Sequence, residues 1–288
     1  MNDIDVTVIL VNYNSSHLLI NAIQSVIKNT QNASYEIIVV DNASPDKGIE
    51  KIKELYSQEV NIIESKQNIG FGRANNLAIP QAKGDYLFFL NPDTILLNDA
   101  ISILLHAIKK EPLWGTVGGM LFDEQGRQNH SAGSFPSPRE IIRTYTGGHK
   151  EEHINPSVIT DVDFVSGADM MIPRHIIDDV GAFDKDFFMY CEETDLQKRI
   201  ADAGYKRIVV PTARILHLEG GSYQKRKNRS SIRRLQQDKS YCLYVKKHYH
   251  IATYLAFRLV FFIIRIPAAI NPHYKFKDNL SFLKMLFT

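Results

Sequence analysis

Short apolar runs and longer mixed segments alternate along the first half of the chain. The apolar runs cover residues 6–11, 36–40, 60–64 and 86–90, and the mixed segments between them have helical periodicity. Apolar runs without internal alternation are typical of strands buried on both faces of a parallel sheet. The four repeats therefore predict an α/β fold with a mostly parallel central sheet, flanking helices and right-handed crossovers.

The fourth run stops abruptly at a polar segment. Tyr86–Leu90 leads into Asn91–Thr94, so a buried strand delivers the carboxylate of Asp93 at its C-terminal end. In open α/β sheets, ligands bind in the crevice beyond these strand ends. The same segment also fits a plain turn that opens the next helix, with Thr94 or Asn98 as its cap. The motif alone leaves both interpretations open.

The first two runs end in polar residues as well. The first leads into Asn12–Asn14 and a helix that Ser15 or Ser16 can cap, and the second leads directly into Asp41. A second strand therefore also delivers a carboxylate at its C-terminal end.

Two glycines, Gly70 and Gly72, stand at the mouth of the helix that follows the third run. Glycine allows the backbone to approach a ligand closely there. The spacing matches neither the dinucleotide-binding fingerprint nor a Walker-type phosphate loop. The segment therefore indicates close backbone approach without either of those motifs.

Periodicity is weaker in the second half. The pattern predicts a helix over 98–110 and a strand over 116–122. Residues 123–160 are rich in Gly, Pro, Ser and His, which predicts a long loop over the site or a substrate-binding excursion. An apolar segment over 164–173 then passes through Gly167, which permits a tight approach.

Three carboxylates, Glu192, Glu193 and Asp195, open the next predicted helix. Acids in a first turn complement the helix dipole, each worth about 0.3–1 kcal/mol, and these acids can be only that. Three are more than a cap requires, and one could serve as a general base toward a substrate hydroxyl. A short strand over 206–210 precedes His217, which is either a core residue or a metal ligand.

Charge divides the chain in two. Residues 222–288 carry 14 Lys/Arg and 2 Asp/Glu, a balance of +12, which leaves −10 for residues 1–221. Basic modules go with nucleic acid or with anionic membranes. The acidic N-terminal sequence does not read as a signal peptide, and two cysteines fit a reducing compartment, so we expect a cytoplasmic protein.

The basic module has its own pattern. A basic cluster at Lys225–Arg229 precedes a predicted helix over 232–249, and residues 251–266 are apolar except for Arg258 and Arg265, which share a helical face. This segment is short for a spanning helix, which needs about 20 apolar residues. It predicts an interfacial amphipathic helix, or a helix packed on the catalytic domain or across a homodimer. The residues expected to face lipid or protein are Tyr254, Phe257, Phe261 and Phe262.

Taken together, these motifs resemble glycosyltransferase family 2, in particular its rhamnosyltransferase-like branch of bacterial surface polysaccharide synthesis. The matching segments, in order, are 8–14, 39–44, 68–78, 90–93, 164–168, 187–199 and His217. The resemblance implies a GT-A fold over residues 1–221, a nucleotide-sugar donor, a divalent metal and inversion at the anomeric carbon. It leaves residues 222–288 as a helical module that contacts a membrane or a second copy.

The resemblance also assigns roles by position. Asp93 matches the last acid of the Asp-X-Asp motif, with Asn91 where the first acid often stands, and His217 matches a metal-coordinating histidine. Mn²⁺ or Mg²⁺ is the implied cofactor. Glu193 falls on the second acid of a Glu-Asp pair, which is the base; Glu192 is the first, and Asp195 is a second candidate. The residues assigned to the nucleotide sugar are Asn12, Tyr13, Asn14, Asp41, Asn42, Asn68, Gly70, Arg73, Asn91 and Gly167.

The implied reaction moves a sugar to a hydroxyl of a polyprenyl-diphosphate-linked or growing cell-surface glycan. We expect dTDP-rhamnose as the donor, then a UDP-hexose, and a peripheral location at the inner face of the cell membrane. Nucleic acid is not expected, because the basic module is too apolar. A nucleotidyltransferase would want a Gly-rich loop with a basic residue after the first strand, which Asn12–Ser15 lacks. The other alternative is an inert membrane-associated scaffold of the same fold.

Overall fold

The computed structural model describes residues 4–147, 155, 157–218, 229–269 and 276–287. Its strands are β1 (Val6–Asn12), β2 (Tyr35–Asp41), β3 (Val60–Glu64), β4 (Tyr86–Leu90), β5 (Thr94–Leu96), β6 (Trp114–Phe122), β7 (Ala132–Gly133), β8 (Thr160–Val162), β9 (Phe164–Val165), β10 (Asp169–Pro173) and β11 (Lys206–His217). Its helices are α1 (Ser16–Asn29), α2 (Ile49–Leu55), α3 (Phe71–Ala78), α4 (Ala100–Lys110), α5 (Pro138–Thr146), α6 (Arg174–Val180), α7 (Glu192–Asp202), α8 (Arg229–His248), α9 (Ile251–Ala269) and α10 (Phe276–Phe287).

The central sheet has nine strands, in the order β3-β2-β1-β4-β10-β6-β11-β5, with β8 pairing to β11. The first four strands of this order are mutually parallel. Strand β10 runs antiparallel to both β4 and β6, and β5 runs antiparallel to β11. The predicted α/β architecture with a mostly parallel sheet is confirmed.

Helices cover the sheet on both faces. On one face Leu19 and Ile23 of α1 and Leu104 of α4 pack against alternate residues of the strands. On the other face Ala74 of α3 and Leu196 of α7 do the same. Because both faces are covered, the parallel strands are apolar throughout rather than alternating, which is why their runs are readable in the sequence.

Four helices, α5, α8, α9 and α10, share a third apolar cluster away from the sheet. Phe257 and Phe261 of α9 lie at its centre and are almost fully buried, next to Val245 of α8 and Phe282 of α10. Of the aromatic residues predicted to face lipid or protein, these two face protein. The division between modules at 221 and 222, like most of the basic cluster Lys225–Arg229, lies outside the described residues and stays a prediction.

Several predicted elements differ from the structure. Residues 138–146 form α5 inside the predicted long loop, and its first turn has a complete capping box between Ser137 and Glu140. The segments around 206–210 and His217 form one strand, β11, with a register irregularity between Val210 and Arg214. Thr94 lies in β5 and α4 begins at Ala100, so neither Thr94 nor Asn98 caps that helix.

Candidate active site

The ends of β1 and β2 are joined by side-chain hydrogen bonds. Asn12 and Asp41 are partners in the parallel ladder, and Asn12 Nδ2 donates to Asp41 Oδ1 at 2.8 Å. Asp41 Oδ2 also accepts from the Ser44 backbone N–H at 3.1 Å. Asn12 is completely buried and its Oδ1 accepts from Ser15, so Asn12 orients the Asp41 carboxylate instead of presenting its own amide to a ligand. Asp41 keeps acceptor capacity for a donor group such as a ribose hydroxyl.

Tyr13 and Asn14 form the loop between these two strand ends and α1. Tyr13 is exposed, and Asn14 has a left-handed φ of 58° while its backbone N–H donates to Ser44 Oγ at 3.0 Å. Asparagine tolerates this conformation better than most residues. The loop is therefore held by Ser44 in a shape that leaves the Tyr13 ring free to contact a ligand.

Asn42 holds the glycine segment in place. Its Oδ1 accepts from the Ile69 N–H at 2.9 Å, and its Nδ2 donates to Asn68 Oδ1 at 3.1 Å and Gly70 O at 3.3 Å. Asn42 is almost fully buried, which strengthens these bonds. The two predicted ligand-binding segments are thus one hydrogen-bonded unit beyond the ends of β2 and β3.

Gly70 touches the segment that precedes the acidic helix α7. It has a φ of +90°, and a Cβ at this position would lie 2.1 Å from the Phe188 carbonyl oxygen. The next residue, Phe71, donates its N–H to that same oxygen at 3.1 Å. Arg73 Nε donates to the Lys185 carbonyl. The close approach at Gly70 is therefore made by the Phe188 carbonyl of this chain, and the expected contact of Gly70 with a ligand stays a prediction.

Asp93 and His217 are brought together by strand pairing. His217 stands opposite Thr94 in the antiparallel β5–β11 ladder, and the Leu218 N–H donates to the Asp93 carbonyl at 2.9 Å. As a result, His217 Nε2 lies 3.4 Å from Asp93 Oδ1. The side chains are 12% and 15% exposed for Asp93 and His217 respectively, so the pair is open on one side.

This pair fits a substrate-completed metal site. No cluster of three or more His, Cys, Asp or Glu side chains able to hold a metal occurs among the described residues. Asp93 and His217 offer one oxygen and one nitrogen, and both side chains are partly exposed. Such a two-ligand site leaves coordination positions for phosphate oxygens and water, which is how Mg²⁺ is commonly held. A mixed oxygen and nitrogen set also suits Mn²⁺.

Glu193 lies over Gly167. A Cβ at Gly167 would lie 3.1 Å from Glu193 Cγ, so glycine leaves room for this side chain. The turn that contains Gly167 is tied to the loop after β4, because the Asn91 N–H donates to Ala168 O at 2.9 Å. The loop of Asp93 and the turn against which Glu193 of α7 packs therefore meet where β4 ends and β10 begins.

The entry to α7 is strained. Tyr190 and Cys191 both have left-handed backbone angles, with φ of 70° and 64°. Such angles cost about 1–3 kcal/mol each for residues other than glycine and persist only where the surroundings enforce them. Part of the enforcement comes from Gln197, whose side-chain amide donates to and accepts from the Val165 backbone at 2.8 Å in both directions. This clamp fixes α7 against β9.

The three acids of α7 have different surroundings. Glu192 is buried, its Oε2 has no partner among the described residues, and burial together with the charge of Glu193 raises its pKa well above the usual value. Burial also raises the pKa of Glu193. Asp195 instead has both oxygens engaged: Oδ2 accepts from Arg199 Nε at 3.0 Å, and Oδ1 contacts His248 Nε2 at 2.8 Å. Asp195 is therefore the weaker candidate for a base.

The C-terminal helix α8 supports this region, which sequence reasoning missed. Three contacts of α8 add to that of His248. Ser240 Oγ donates to the Met189 carbonyl at 2.8 Å, and Lys247 pairs with Asp184 at 2.7 Å. Tyr244 is buried with Phe187 and Cys191. No local pattern indicates these contacts, because each joins residues far apart in the sequence. Helix α7, which carries Glu193, is thus held by β9 on one side and by α8 on the other.

The model of the family described as Glycosyl transferase family 2 matches residues 7–180, more than half of the chain. The chain belongs to this family. The resemblance drawn from the sequence motifs is thereby confirmed.

Two curated relatives of this family 2 member are rhamnosyltransferases. The N-acetylglucosaminyl-diphospho-decaprenol L-rhamnosyltransferase of Mycobacterium tuberculosis is 28% identical over 203 residues, which cover 63% of this chain and 66% of that protein. Rhamnosyltransferase WbbL of Escherichia coli K12 is 29% identical, over 66% of this chain and 75% of that protein. The chain therefore spans about two thirds of the length of the mycobacterial relative.

Solved structures show the fold. GalNAc-T7 with UDP, GalNAc and Mn²⁺ superimposes with a TM-score of 0.64 at 17% identity, covering 99% of this chain and 54% of that one. The mannosyltransferase PcManGT of Pyrobaculum calidifontis, with GDP-Man and Mn²⁺, gives a TM-score of 0.59 at 17% identity, covering 99% and 86%. The family 2 chain has the GT-A fold.

Proposed function

We propose that this glycosyltransferase inverts the anomeric centre as it moves a sugar from a nucleotide-diphosphate donor to a hydroxyl of a lipid-linked or growing cell-surface glycan. Our first donor is dTDP-rhamnose and our second is a UDP-hexose. The observation that carries the proposal is the pairing of Asp93 with His217 beyond the strand ends. The rhamnosyltransferase relatives favour the first donor.

In this proposal the nucleoside lies against Asp41 and Tyr13, at the loops that Asn12, Asn42 and Ser44 hold in shape. The Asp41 carboxylate accepts hydrogen bonds from the base or the ribose. The diphosphate extends toward Asp93 and His217, which would hold the divalent metal. When bound, such a metal neutralises charge that develops on the departing diphosphate.

Glu193 is the proposed base. It takes the proton of the acceptor hydroxyl while that oxygen forms its bond to the anomeric carbon, and the bond from that carbon to the diphosphate oxygen breaks with its electrons leaving on the diphosphate. A single displacement inverts the carbon and requires no covalent intermediate. Burial raises the pKa of Glu193, which makes its carboxylate a stronger base than that of an exposed glutamate.

The acceptor class is proposed from the mycobacterial relative, whose name gives a diphospho-decaprenol acceptor. A lipid-linked acceptor places the enzyme at the inner face of the cell membrane as a peripheral protein. In the part of the chain that the structure describes, no helix is long and apolar enough to cross a membrane.

Calorimetric titration of dTDP and UDP, each with and without Mn²⁺, tests the donor site. We expect Mn²⁺-dependent binding to the wild-type protein, and we expect Asp93→Ala to abolish the Mn²⁺ dependence. Asp178→Asn, which changes an exposed acid on α6, is the control and keeps wild-type binding. Absence of binding of both nucleotides to folded protein would overturn the donor-site proposal, and the tighter nucleotide identifies the donor class.

A further inference from the structure

Helix α9 exposes apolar side chains and turns its charged side chains inward, the reverse of a helix on the surface of a soluble protein. Its outward face, defined by the following residues, is 38–64% exposed: Ile251, Leu255, Leu259, Val260, Ile263 and Ile266. Surface helices of globular proteins carry their charged residues outward and their apolar residues inward. On α9, the exposed positions between 251 and 267 carry no charge.

The two charges of α9 point inward. Arg258 donates to the Leu286 carbonyl at 2.8 Å and to Cys242 Sγ at 3.1 Å. Arg265 pairs with buried Asp238 at 2.7 Å, and Asp238 also accepts from the Tyr145 hydroxyl. Because these interior partners bind both guanidinium groups, the orientation of α9 is fixed by the interior. The apolar outward face of α9 therefore follows from the packing of the helices in this module.

The exposed apolar surface continues onto α10. Phe287, which is exposed, packs its ring 5.0 Å from that of Phe262 beside the outward face. Phe276 and Leu280 of α10 are exposed as well. Continuous apolar patches of this kind are rare on soluble monomers and mark interaction sites.

We propose that the outward face of α9 is the surface by which this protein lies on an anionic membrane. Charge complementarity selects this occupant. Residues 222–288 have a balance of +12, and exposed Lys246 and Lys277 belong to the helices on either side of α9. Basic residues close to anionic lipid each contribute attraction while the apolar side chains enter the headgroup boundary.

A second copy of the chain is the weaker occupant. A two-fold dimer through this face would bring two identical patches together. Two modules of +12 would then lie side by side and repel each other. An anionic bilayer instead attracts the basic module. The inference deepens the proposed function by naming the surface that meets the membrane. It rests on the proposed function because the lipid-linked acceptor is the reason for this protein to bind a membrane.

Vesicle sedimentation tests the proposal with the full chain. We expect the wild-type protein to sediment with vesicles of phosphatidylcholine and phosphatidylglycerol in a three-to-one ratio, and not with phosphatidylcholine alone. The variant Leu255→Asp with Leu259→Asp should bind the anionic vesicles on the order of 100-fold more weakly, because two apolar anchors are lost and two like charges face the lipid. Leu113→Asp, at a 61% exposed leucine next to α4, is the matched control and should bind as the wild type does.

Two outcomes would overturn the proposal. The first is wild-type protein that stays in solution with the anionic vesicles, or a double variant that still sediments fully. The second is a wild-type dimer in size-exclusion chromatography that the double variant converts to a monomer, which assigns the face to a second copy. Nucleotide binding, measured on the same preparations, reports on the donor site separately, so failure of the membrane surface and failure of the proposed function are distinguishable.

Discussion

Two aspartate–histidine pairs occupy different regions of this molecule. Asp93 and His217 join two strands at the open end of the sheet, 3.4 Å apart and 12–15% exposed. Asp195 and His248 join the acidic helix α7 to α8, 2.8 Å apart, with the aspartate 2% and the histidine 10% exposed. Both side chains of the first pair are thus partly exposed, while the aspartate of the second pair is almost fully enclosed.

The number of partners separates the two pairs. Asp195 also binds Arg199, whose guanidinium in turn donates to the carbonyls of Val180, Gly181 and Ala182. The buried pair is therefore part of a larger hydrogen-bonded network that ties α7 to residues 180–182. In the part of the chain that the structure describes, the side chains of Asp93 and His217 have no hydrogen-bond or ion-pair partner except each other, so Asp93 keeps acceptor capacity for a ligand. Residue identity alone does not distinguish a ligand site from a support, but burial and partner count do.

The largest effect should come from an acid that belongs to neither pair. Among the described residues Glu193 has no histidine or arginine partner, and we propose it as the base. Glu193→Gln should lower the transfer rate by about 10³-fold, because general bases contribute about 10²–10⁴-fold. The measurement is the initial rate of nucleoside diphosphate release with donor and acceptor present. Equal loss in Asp195→Asn with Glu193→Gln fully active would reassign the base.

The open pair should give the next largest effect. Asp93→Asn should lower transfer by about 10²–10³-fold while leaving the melting temperature within a few degrees of wild type, because a partly exposed carboxylate contributes little to folding. Thermal unfolding and rate measurements on one preparation check both parts. A large drop in melting temperature would instead make Asp93–His217 a structural pair.

The buried pair should show the reverse ranking. His248→Ala should lower the free energy of unfolding by about 1–3 kcal/mol, because it removes a hydrogen bond to a buried carboxylate. Transfer should fall by less than about tenfold, since Arg199 still binds Asp195. Denaturant titration measures the stability, and His175→Ala, at an exposed histidine of α6, is the control. Unchanged stability would remove the distinction between the pairs.

The smallest effect concerns Glu192 and depends on pH. Its pKa is raised in the folded protein, so the folded state holds its proton more strongly than the unfolded state. The contribution of Glu192 to stability should therefore be fully present at acidic pH and should decline as pH rises from the unfolded pKa through the raised folded pKa. Glu192→Gln should flatten this decline and keep the transfer rate within about threefold, because glutamine mimics the protonated acid. Melting temperatures of both proteins from acidic to neutral pH measure this difference. An equal pH dependence in wild type and Glu192→Gln would contradict a raised pKa of Glu192.

The sequence predicts the two halves of the fold unequally. Strands β1 to β4 are readable because both of their faces are buried, so each is an apolar run with a polar end. Helix α5 was missed although the Ser137-Pro138-Arg139-Glu140 segment has the spacing of a capping box, a signal that could have found it. Helical periodicity places Arg258 and Arg265 on one face of α9. That this face turns inward depends on their partners, Asp238 and the Leu286 carbonyl, which lie on other helices and cannot be read from the sequence of α9.

The candidate site was predictable through the family motifs and not through spacing. Asp93 and His217 meet because Thr94 pairs with His217 across β5 and β11. No local sequence pattern predicts this strand pairing. The support of α7 by His248 was not predictable for the same reason. Asn12 is assigned to the nucleotide sugar by the family resemblance, and that assignment stays a prediction. Sequence could not show that Asn12 is buried and donates to Asp41.

The crowding at Gly70 has a consequence for how this sequence can vary. Any side chain there must push the Phe188 carbonyl aside, and Phe188 leads within a few residues to the helix that carries Glu193. Gly126 also has a left-handed φ, of +73°, but a Cβ there would meet nothing within 4 Å. In a library of substitutions selected for transfer, position 126 should accept asparagine and other residues, while position 70 should return glycine alone. A side chain at position 70 is therefore expected to displace Glu193, the proposed base.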